Sequence, residues 1–154
     1  MTDRAWVGID PGMTGAVALI PADGAPLVVD YPGDVALAVD AVRTWTVEYN
    51  IMLAAVESVH AMPKQGVVST FTFGKSFGEW LGILAALGVS HTLVTPQEWQ
   101  RGVIHRTDGG DPKMRSLTAA RRIFPTCELL GRKQDHHRAD ALLIARWASL
   151  QTAR

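Results

Sequence analysis

Cysteine is almost absent from this chain of 154 residues. Its single cysteine, Cys127, excludes an intrachain disulfide and a cysteine-based metal cluster, and it indicates a structural residue in a reducing compartment. Long apolar runs are missing too: none has the length of a membrane span, and Met1-Thr2-Asp3-Arg4 lacks the basic segment and apolar core of a signal peptide. We therefore expect a cytoplasmic protein without a membrane partner.

Net charge is also lacking, because 15 basic residues balance 15 acidic ones. The balance hides an asymmetry: residues 1–63 hold two basic and eight acidic residues, whereas residues 64–154 hold thirteen basic and seven acidic ones. The basic half can present a local basic face to phosphate, or it can be a set of solvated helix faces, and its charge alone does not decide between them. The length and the apolar content of 47% predict one domain, residues 1–154, with a real core.

The first predicted strand, Ala5–Asp10, is mostly apolar and ends in an acid that a Pro-Gly turn follows. Strands at Gly15–Ile20 and Leu27–Tyr31 come next, and the short turns between the three predict an antiparallel meander. A carboxylate at the end of a buried strand is costly unless a cation, a hydrogen-bond donor or water offsets the lost hydration. Asp10 is therefore either a turn former or part of a metal site.

A second strand that ends in an acid follows the meander. Asp34 is the expected N-cap of a helix over Val35–Tyr49, and the nearly unbroken apolar run Ile51–Glu57 then predicts a central strand covered on both faces. After a helical crossover this strand is expected to run parallel to the first one, which brings Asp10 and Glu57 to the same edge of the sheet if the strands are neighbours. The alternative is that Glu57 caps a strand at the surface.

The next predicted helix, from about Phe71 to Leu87, carries Gly74, Gly78 and Gly82 on one face. Each glycine lowers helix stability by about 1 kcal/mol relative to alanine, so a close contact is expected to offset the loss. Another helix, the sheet or a second subunit could supply that contact. We interpret this surface as core or as a dimer contact rather than as a ligand site.

Basic residues concentrate in the segment that follows. A short strand over His91–Val94 leads through the cap Thr95 into a brief helix over about Pro96–Arg101. Gly102–Asp111 is then expected to be a glycine-containing loop whose basic side chains could reach phosphate. Pro112 begins a basic helix that ends near Phe124.

The last predicted helix has a polar start and an apolar body. His137 and Asp140 are three residues apart, and His136 and Asp140 are four apart, so either pair can share a helix face. A histidine and an aspartate at this spacing can bind a metal or transfer protons, but near a helix start they can also act as simple caps. Asp135 is the expected cap.

Three distant acids, Asp10, Glu57 and Asp140, thus have routes to one point at the edge of a sheet. Three oxygen ligands with an imidazole suit Mg²⁺ or Mn²⁺ better than zinc. Two such ions about 4 Å apart can hold a phosphodiester in line, activate a water and stabilise the leaving oxygen. The order of elements predicts an α/β, RNase H-like fold, in which helices flank a five-stranded mixed sheet made of the three-strand antiparallel meander and two parallel strands.

The chain resembles the RuvC family of Holliday-junction resolvases, and most closely the phage-type RuvC-like endonucleases. The matching motifs are Gly8-Ile9-Asp10-Pro11-Gly12 with Gly15, Val56-Glu57, Phe73-Gly74-Lys75-Ser76-Phe77-Gly78 and His137-Arg138-Ala139-Asp140-Ala141-Leu142. The resemblance implies a homodimer that nicks two strands of a four-way DNA junction with Mg²⁺ or Mn²⁺, two ions to each active site, in a bacterial or phage-infected cell. It implies four catalytic, metal-binding residues: Asp10, Glu57, His137 and Asp140. His136 is the reserve candidate for the histidine.

The resemblance also implies contacts with DNA. In cellular members of the family, an aromatic residue just after the second acid inserts at the centre of the junction. The corresponding position here is His60, and Phe71 or Phe73 could take over this role. Lys113 resembles a lysine that lies near the scissile phosphate. The candidates for contacts with the DNA are Lys64, Arg101, His105, Arg106, Lys113 and Arg115.

Two rival functions remain open at this stage. The segment Asp10–Thr14 looks like the first phosphate loop of actin-like or Hsp70-like kinases and ATPases, although those proteins enclose a nucleotide between two such domains and this chain has the length of one. The other rival is a protein that binds branched DNA without cutting it. That protein would have no need for the three acids.

Overall fold

The computed structural model describes residues 2–58 and 66–152, and within them helices cover both faces of a single five-stranded sheet. The strands are β1 (Arg4–Asp10), β2 (Ala16–Pro21), β3 (Leu27–Asp30), β4 (Asn50–Glu57) and β5 (His91–Val94). The helices are α1 (Val35–Glu48), α2 (Val67–Ala86), α3 (Pro96–Val103), α4 (Pro112–Ile123) and α5 (His136–Gln151). No helix in these two ranges is both long enough and apolar enough to cross a bilayer.

The sheet has the strand order β3-β2-β1-β4-β5. β1, β2 and β3 pair antiparallel, whereas β1, β4 and β5 run parallel, which confirms the predicted meander and the two added strands. Ile9 pairs with Val56, one residue before each strand-terminal acid. Asp10 and Glu57 therefore end neighbouring strands at the same edge of the sheet.

The side chains of β1 alternate between two helical layers. Val7 and Ile9 pack with α1 and α2 on one face, whereas α3, α4 and α5 cover the other face. Since successive residues of a strand point to opposite faces, Gly8 and Asp10 belong to the face that α5 covers. By the same alternation, Ala55 in β4 packs on the α5 side, and Glu57 shares its face.

Gly8 allows α5 to lie directly on β1. A Cβ atom at this position would collide with the backbone of Ala141 and Ala145, so only glycine permits this approach. The first turn of α5 is thereby held beside the end of β1. This contact places His137 and Asp140 next to Asp10.

Helix boundaries and one cap differ from the expectation. α2 begins at Val67 rather than near Phe71, and α3 continues to Val103, which is buried against the sheet layer. Asp135 does not cap α5 with its side chain. The Asp135 carboxylate instead accepts hydrogen bonds from the guanidinium and the backbone N–H of Arg132, because both groups lie within reach.

The glycine face of α2 points away from the rest of the described chain. A Cβ atom on Gly74, Gly78 or Gly82 would meet no described atom within 4 Å. The expected close approach by another helix or by the sheet is therefore wrong for the residues that the structure describes. The contact with a second subunit stays a prediction.

Candidate metal centre

Three side chains from two elements meet where β1 ends and α5 begins. Asp10, His137 and Asp140 each offer one ligand atom, and these atoms all lie within 4.8 Å of one another. Nδ1 of His137 lies 2.7 Å from Oδ2 of Asp10. Residues 127 positions apart in the sequence thus form one contact.

Asp140 has a buried carboxylate oxygen, Oδ1, that lacks a hydrogen-bond donor among the described residues. A buried carboxylate oxygen without a donor is costly, and a bound cation removes that cost. The two carboxylates and one imidazole of this cluster, which includes the unpartnered oxygen, are ligands that fit a hard divalent ion.

Glu57 lines the same cleft but stands outside the three-residue cluster. The cleft has a volume of about 360 Å³ and also contains Lys113 and Trp99. Oε2 of Glu57 accepts a 2.6 Å hydrogen bond from Nε1 of Trp99. Glu57 is therefore at the predicted edge of the sheet, with one of its two oxygens bound to protein.

The crowded acids of this cleft have raised pKa values. Burial, followed by the negative charge of Asp10, raises the pKa of Glu57 to about 7, and the Trp99 hydrogen bond opposes that rise. Burial and the Asp10 charge likewise raise the pKa of Asp140 to about 7, with the Ser116 hydroxyl acting in the opposite direction. A divalent cation would lower these pKa values again and favour the charged carboxylates.

The two adjacent histidines have different environments. The hydrogen bond with Asp10 raises the pKa of His137, and Nε2 of the same ring lies 3.2 Å from the Thr14 hydroxyl. The His136 ring lies 4.0 Å from the His137 ring, its Nδ1 is buried without a described partner, and burial lowers its pKa. The geometry therefore brings His137, rather than the reserve candidate His136, to the acid cluster.

The predicted DNA-contacting residues divide into two groups. Arg101, His105, Arg106 and Arg115 line one groove of about 490 Å³ beside the cleft, and Gln100 borders both spaces. Lys113 lies in the cleft itself. Lys64 and the wedge position His60 lie outside the described residues.

Three polar contacts of the site were not predicted from the sequence. They are Trp99 on Glu57, Thr14 on His137, and the Ser116 hydroxyl near Asp140. Only Trp99 left a usable signal, because it follows β5 by five residues and β5 pairs with the end of β4 at Glu57. Ser116 and Thr14 carry no pattern that separates them from ordinary helix and turn residues.

Two solved structures of Thermus thermophilus RuvC match almost the entire chain. One, which contains a Holliday junction substrate, has a TM-score of 0.64 and 19% identity over 99% of this chain and 97% of that one. The chain has the RuvC fold. The second, a Thermus thermophilus RuvC structure, has a TM-score of 0.63 and 22% identity over 97% of this chain and 98% of the other. The resemblance to RuvC is thus confirmed in the fold, together with the RNase H-like arrangement of the sheet.

A curated protein also matches this RuvC-like chain in sequence. The chloroplastic Holliday junction resolvase MOC1 of Chlamydomonas reinhardtii is 37% identical over 95 residues, which cover 60% of this chain. The match covers 10% of the length of that protein. No family model matches the chain.

Proposed function

We propose that this protein is a metal-dependent endodeoxyribonuclease that cuts branched DNA, with the four-way junction as its principal substrate. The observation that carries the proposal is the cluster of Asp10, His137 and Asp140, with Glu57 in the same cleft, at the open edge of a RuvC fold. The similarity to a Holliday junction resolvase and to a RuvC bound to a Holliday junction supports the choice of substrate. Its compartment, in this proposal, is the cytoplasm of a bacterial or phage-infected cell.

Asp10, Glu57, His137 and Asp140 are the residues that would hold Mg²⁺ or Mn²⁺, two ions in each site. The carboxylate-rich donor set and the unpartnered Oδ1 of Asp140 support this assignment. Bound divalent ions supply an activated water and stabilise the leaving oxygen of a phosphodiester. The chain contributes the orientation of its acids, set by the ends of β1 and β4 and by the packing of α5 on Gly8.

His137 is the fourth catalytic residue in this proposal. Its ring lies between the carboxylate of Asp10 and the hydroxyl of Thr14, so its orientation is set from both sides. Through one nitrogen it can bind the ion, or it can exchange a proton with the attacking water. The hydrogen bond with Asp10 raises the pKa of His137, which favours the protonated ring until a cation takes up the Asp10 charge.

Exposed basic side chains beside the cleft would position the DNA. Arg101, His105, Arg106 and Arg115 border one groove, and Lys113 lies against the acids, where it can meet the scissile phosphate. Lys64 completes this set by resemblance. Such contacts hold the backbone in register without reading its sequence. Phe71 is 74% exposed, which makes it the better placed aromatic for the junction centre, whereas Phe73 stacks on Phe77.

We further propose that the protein acts as a homodimer through α2. The glycine face of this helix is open in the described chain, and the four-residue spacing of its glycines suits close approach of a second helix. We expect Gly78→Leu to fold, since a Cβ atom at this position meets no described atom within 4 Å, but to sediment as a monomer. If Gly78→Leu dimerises with wild-type affinity, α2 does not form the dimer interface.

The decisive experiment is a cleavage panel. Four-way, forked, flapped and linear DNAs are each incubated with Mg²⁺, with Mn²⁺ and with EDTA. We expect paired nicks in the four-way junction with either metal, no cleavage in EDTA and no cleavage of linear duplex. Asp10→Asn is the matched control, and junction cleavage by this variant at the wild-type rate would refute the metal assignment.

The two rival functions give different results. A kinase or ATPase would bind ATP specifically, and we expect no such affinity, because the RuvC match covers 99% of the chain. A junction-binding protein without activity would bind four-way DNA equally well in EDTA and would tolerate loss of all three acids. The cluster of Asp10, His137 and Asp140, with Glu57 in the same cleft, favours the nuclease.

A further inference from the structure

Trp99 touches the proposed metal site from inside the core. Its indole N–H donates a 2.6 Å hydrogen bond to Oε2 of Glu57. The ring itself is 1% exposed and packs with the α3–α4–α5 layer. A buried tryptophan normally needs a partner for its N–H, and here that partner is a proposed metal ligand.

The position of Trp99 is set by the fold. α3 begins with a reciprocal cap, in which the Thr95 hydroxyl accepts from the backbone N–H of Glu98, and Oε2 of Glu98 accepts from the backbone N–H of Thr95 at 2.8 Å. β5 leads directly into this cap, and its residue Val94 pairs with Glu57. The indole donor is therefore held at one place relative to the end of β4, independently of any ion.

The hydrogen bond divides the two oxygens of Glu57 between protein and cleft. Oε2 is bound to Trp99, whereas no hydrogen bond from the described residues reaches Oε1. A free glutamate side chain rotates and can bind an ion through one oxygen or both. With Oε2 held by the indole, binding through one oxygen is favoured and the side chain loses little freedom when the ion arrives.

We propose that Trp99 is a positioning residue of the metal site: its indole N–H holds Oε2 of Glu57 and leaves Oε1 to bind the ion. The inference rests on the proposed function, because Glu57 must be a metal ligand for it to hold. It adds a residue from the protein core that determines metal affinity without touching metal or DNA. Partners of this kind, which hydrogen-bond a ligand rather than the ion, typically change metal affinity by about 10–100-fold.

The test compares two tryptophans with opposite hydrogen-bonding states. Trp99→Phe removes the N–H that binds Glu57. Trp80→Phe is the matched control, because Trp80 is 0% exposed and its Nε1 is buried with no described hydrogen-bond partner. Mn²⁺ binding to DNA-free protein is measured by calorimetry, and junction cleavage is measured as a function of Mn²⁺ concentration.

We expect Trp99→Phe to weaken Mn²⁺ binding by about 10-fold or more and to shift the half-maximal Mn²⁺ concentration for cleavage by a similar factor. The cleavage rate at saturating Mn²⁺ should stay close to wild type. Trp80→Phe should leave Mn²⁺ affinity unchanged. Equal Mn²⁺ affinities for the two variants would overturn the positioning role while leaving the nuclease proposal intact.

A double-mutant cycle separates positioning from a general effect on the core. In a Glu57→Gln background, Trp99→Phe should weaken Mn²⁺ binding no further, because the residue it positions no longer has a charged carboxylate. An equal loss in both backgrounds would make Trp99 structural. If wild-type protein binds no Mn²⁺ and cuts no junction, the proposed function fails and the role of Trp99 fails with it.

A measurement on unaltered protein covers the case in which Trp99→Phe does not fold. The indole N–H resonance of Trp99 is assigned as the one that Glu57→Gln shifts. In the wild-type protein this resonance is then followed in proton–nitrogen spectra during titration with Mg²⁺. We expect this resonance to move and the Trp80 resonance to stay in place. An unmoved Trp99 resonance at saturating Mg²⁺ would contradict the proposal.

Discussion

Buried and half-buried acids occur in two regions of this molecule, and their surroundings differ. Asp108 and Asp135 are 7% and 3% exposed, and each receives a guanidinium and a backbone N–H. Hydrogen bonds from Arg122 and Arg132, respectively, lower their pKa values. At the sheet edge, Glu57 and Asp140 have no arginine among their neighbours that affect the pKa, and their pKa values are raised to about 7.

Under the proposed function, this difference separates structural acids from acids that would bind a cation. A buried carboxylate paired with arginine is already compensated, so it can stabilise the fold and needs nothing more. Several carboxylates gathered around an unpartnered oxygen destabilise one another until a divalent ion neutralises them. Four predictions follow from the contrast, each pairing a residue of one region with a residue of the other.

Loss of activity should distinguish the two regions most strongly. We expect Asp140→Asn to lower junction cleavage by about 1000-fold or more, because it removes a metal ligand, while junction binding in EDTA stays near wild type. Asp108→Asn should keep cleavage within a few-fold at a temperature where it is folded. Comparable cleavage rates for the two variants would contradict a catalytic role for Asp140 that Asp108 lacks.

Metal should stabilise the protein through one region alone. At about 100 times its dissociation constant, Mn²⁺ should raise the free energy of unfolding by about 2.7 kcal/mol. Thermal unfolding with and without Mn²⁺ measures the effect. Asp140→Asn should abolish most of it and Asp108→Asn none of it, so an equal Mn²⁺ response in both variants would count against the site.

Without metal, the two substitutions should change stability in opposite directions. Between the unfolded pKa of Asp140 and its folded value of about 7, the folded state holds the proton more tightly, so stability falls as pH rises through that interval. Asp140→Asn should therefore stabilise the metal-free protein by about 1–2 kcal/mol at about pH 8 and have little effect at about pH 4.

Asp108→Asn should destabilise the protein by about 1–2 kcal/mol at neutral pH, since water reaches the Arg122 side chain and screens part of the pair. The lowered pKa of Asp108 means that its contribution is lost as pH falls. Chemical denaturation in EDTA across this pH range checks both signs. Destabilisation by Asp140→Asn at about pH 8 would be inconsistent with a raised folded pKa.

Two arginines of α4, Arg115 and Arg122, should give the smallest contrast. Arg115 borders the groove beside the cleft, whereas Arg122 is bound to Asp108. Arg115→Ala should weaken junction binding a few-fold and lower the salt slope by about one, without a change in unfolding temperature. Arg122→Ala should lower the unfolding temperature and leave the salt slope unaltered. If instead Arg122→Ala lowered the salt slope and Arg115→Ala did not, the DNA-binding surface would not include Arg115.

Much of the fold followed from local pattern. Apolar runs of strand length that end in an acid gave β1 and β4, and short turns gave the meander, because continuous apolar runs and turn residues act within a few positions. The parallel pairing of β1 and β4 followed from the crossover rule. The start of α2 was misjudged, since Val67 and Val68 are exposed and leave no apolar periodicity there.

Long-range packing decided the site. The sequence alone placed Asp10, Glu57 and Asp140 at the ends of elements, but it could not choose between His136 and His137. Side chains of neighbouring helix residues point about 100° apart. Which histidine faces Asp10 therefore depends on the orientation of α5 about its own axis, which its packing against Gly8 sets.

The sequence by itself determined the element order and the strand-terminal acids, because each is a property of a few neighbouring residues. Only the tertiary structure decided that α5 packs on Gly8, that His137 reaches Asp10, that Trp99 binds Glu57, and that the glycine face of α2 points outward. These outcomes depend on contacts between residues far apart in the chain, and their energies exist only once the layers have packed.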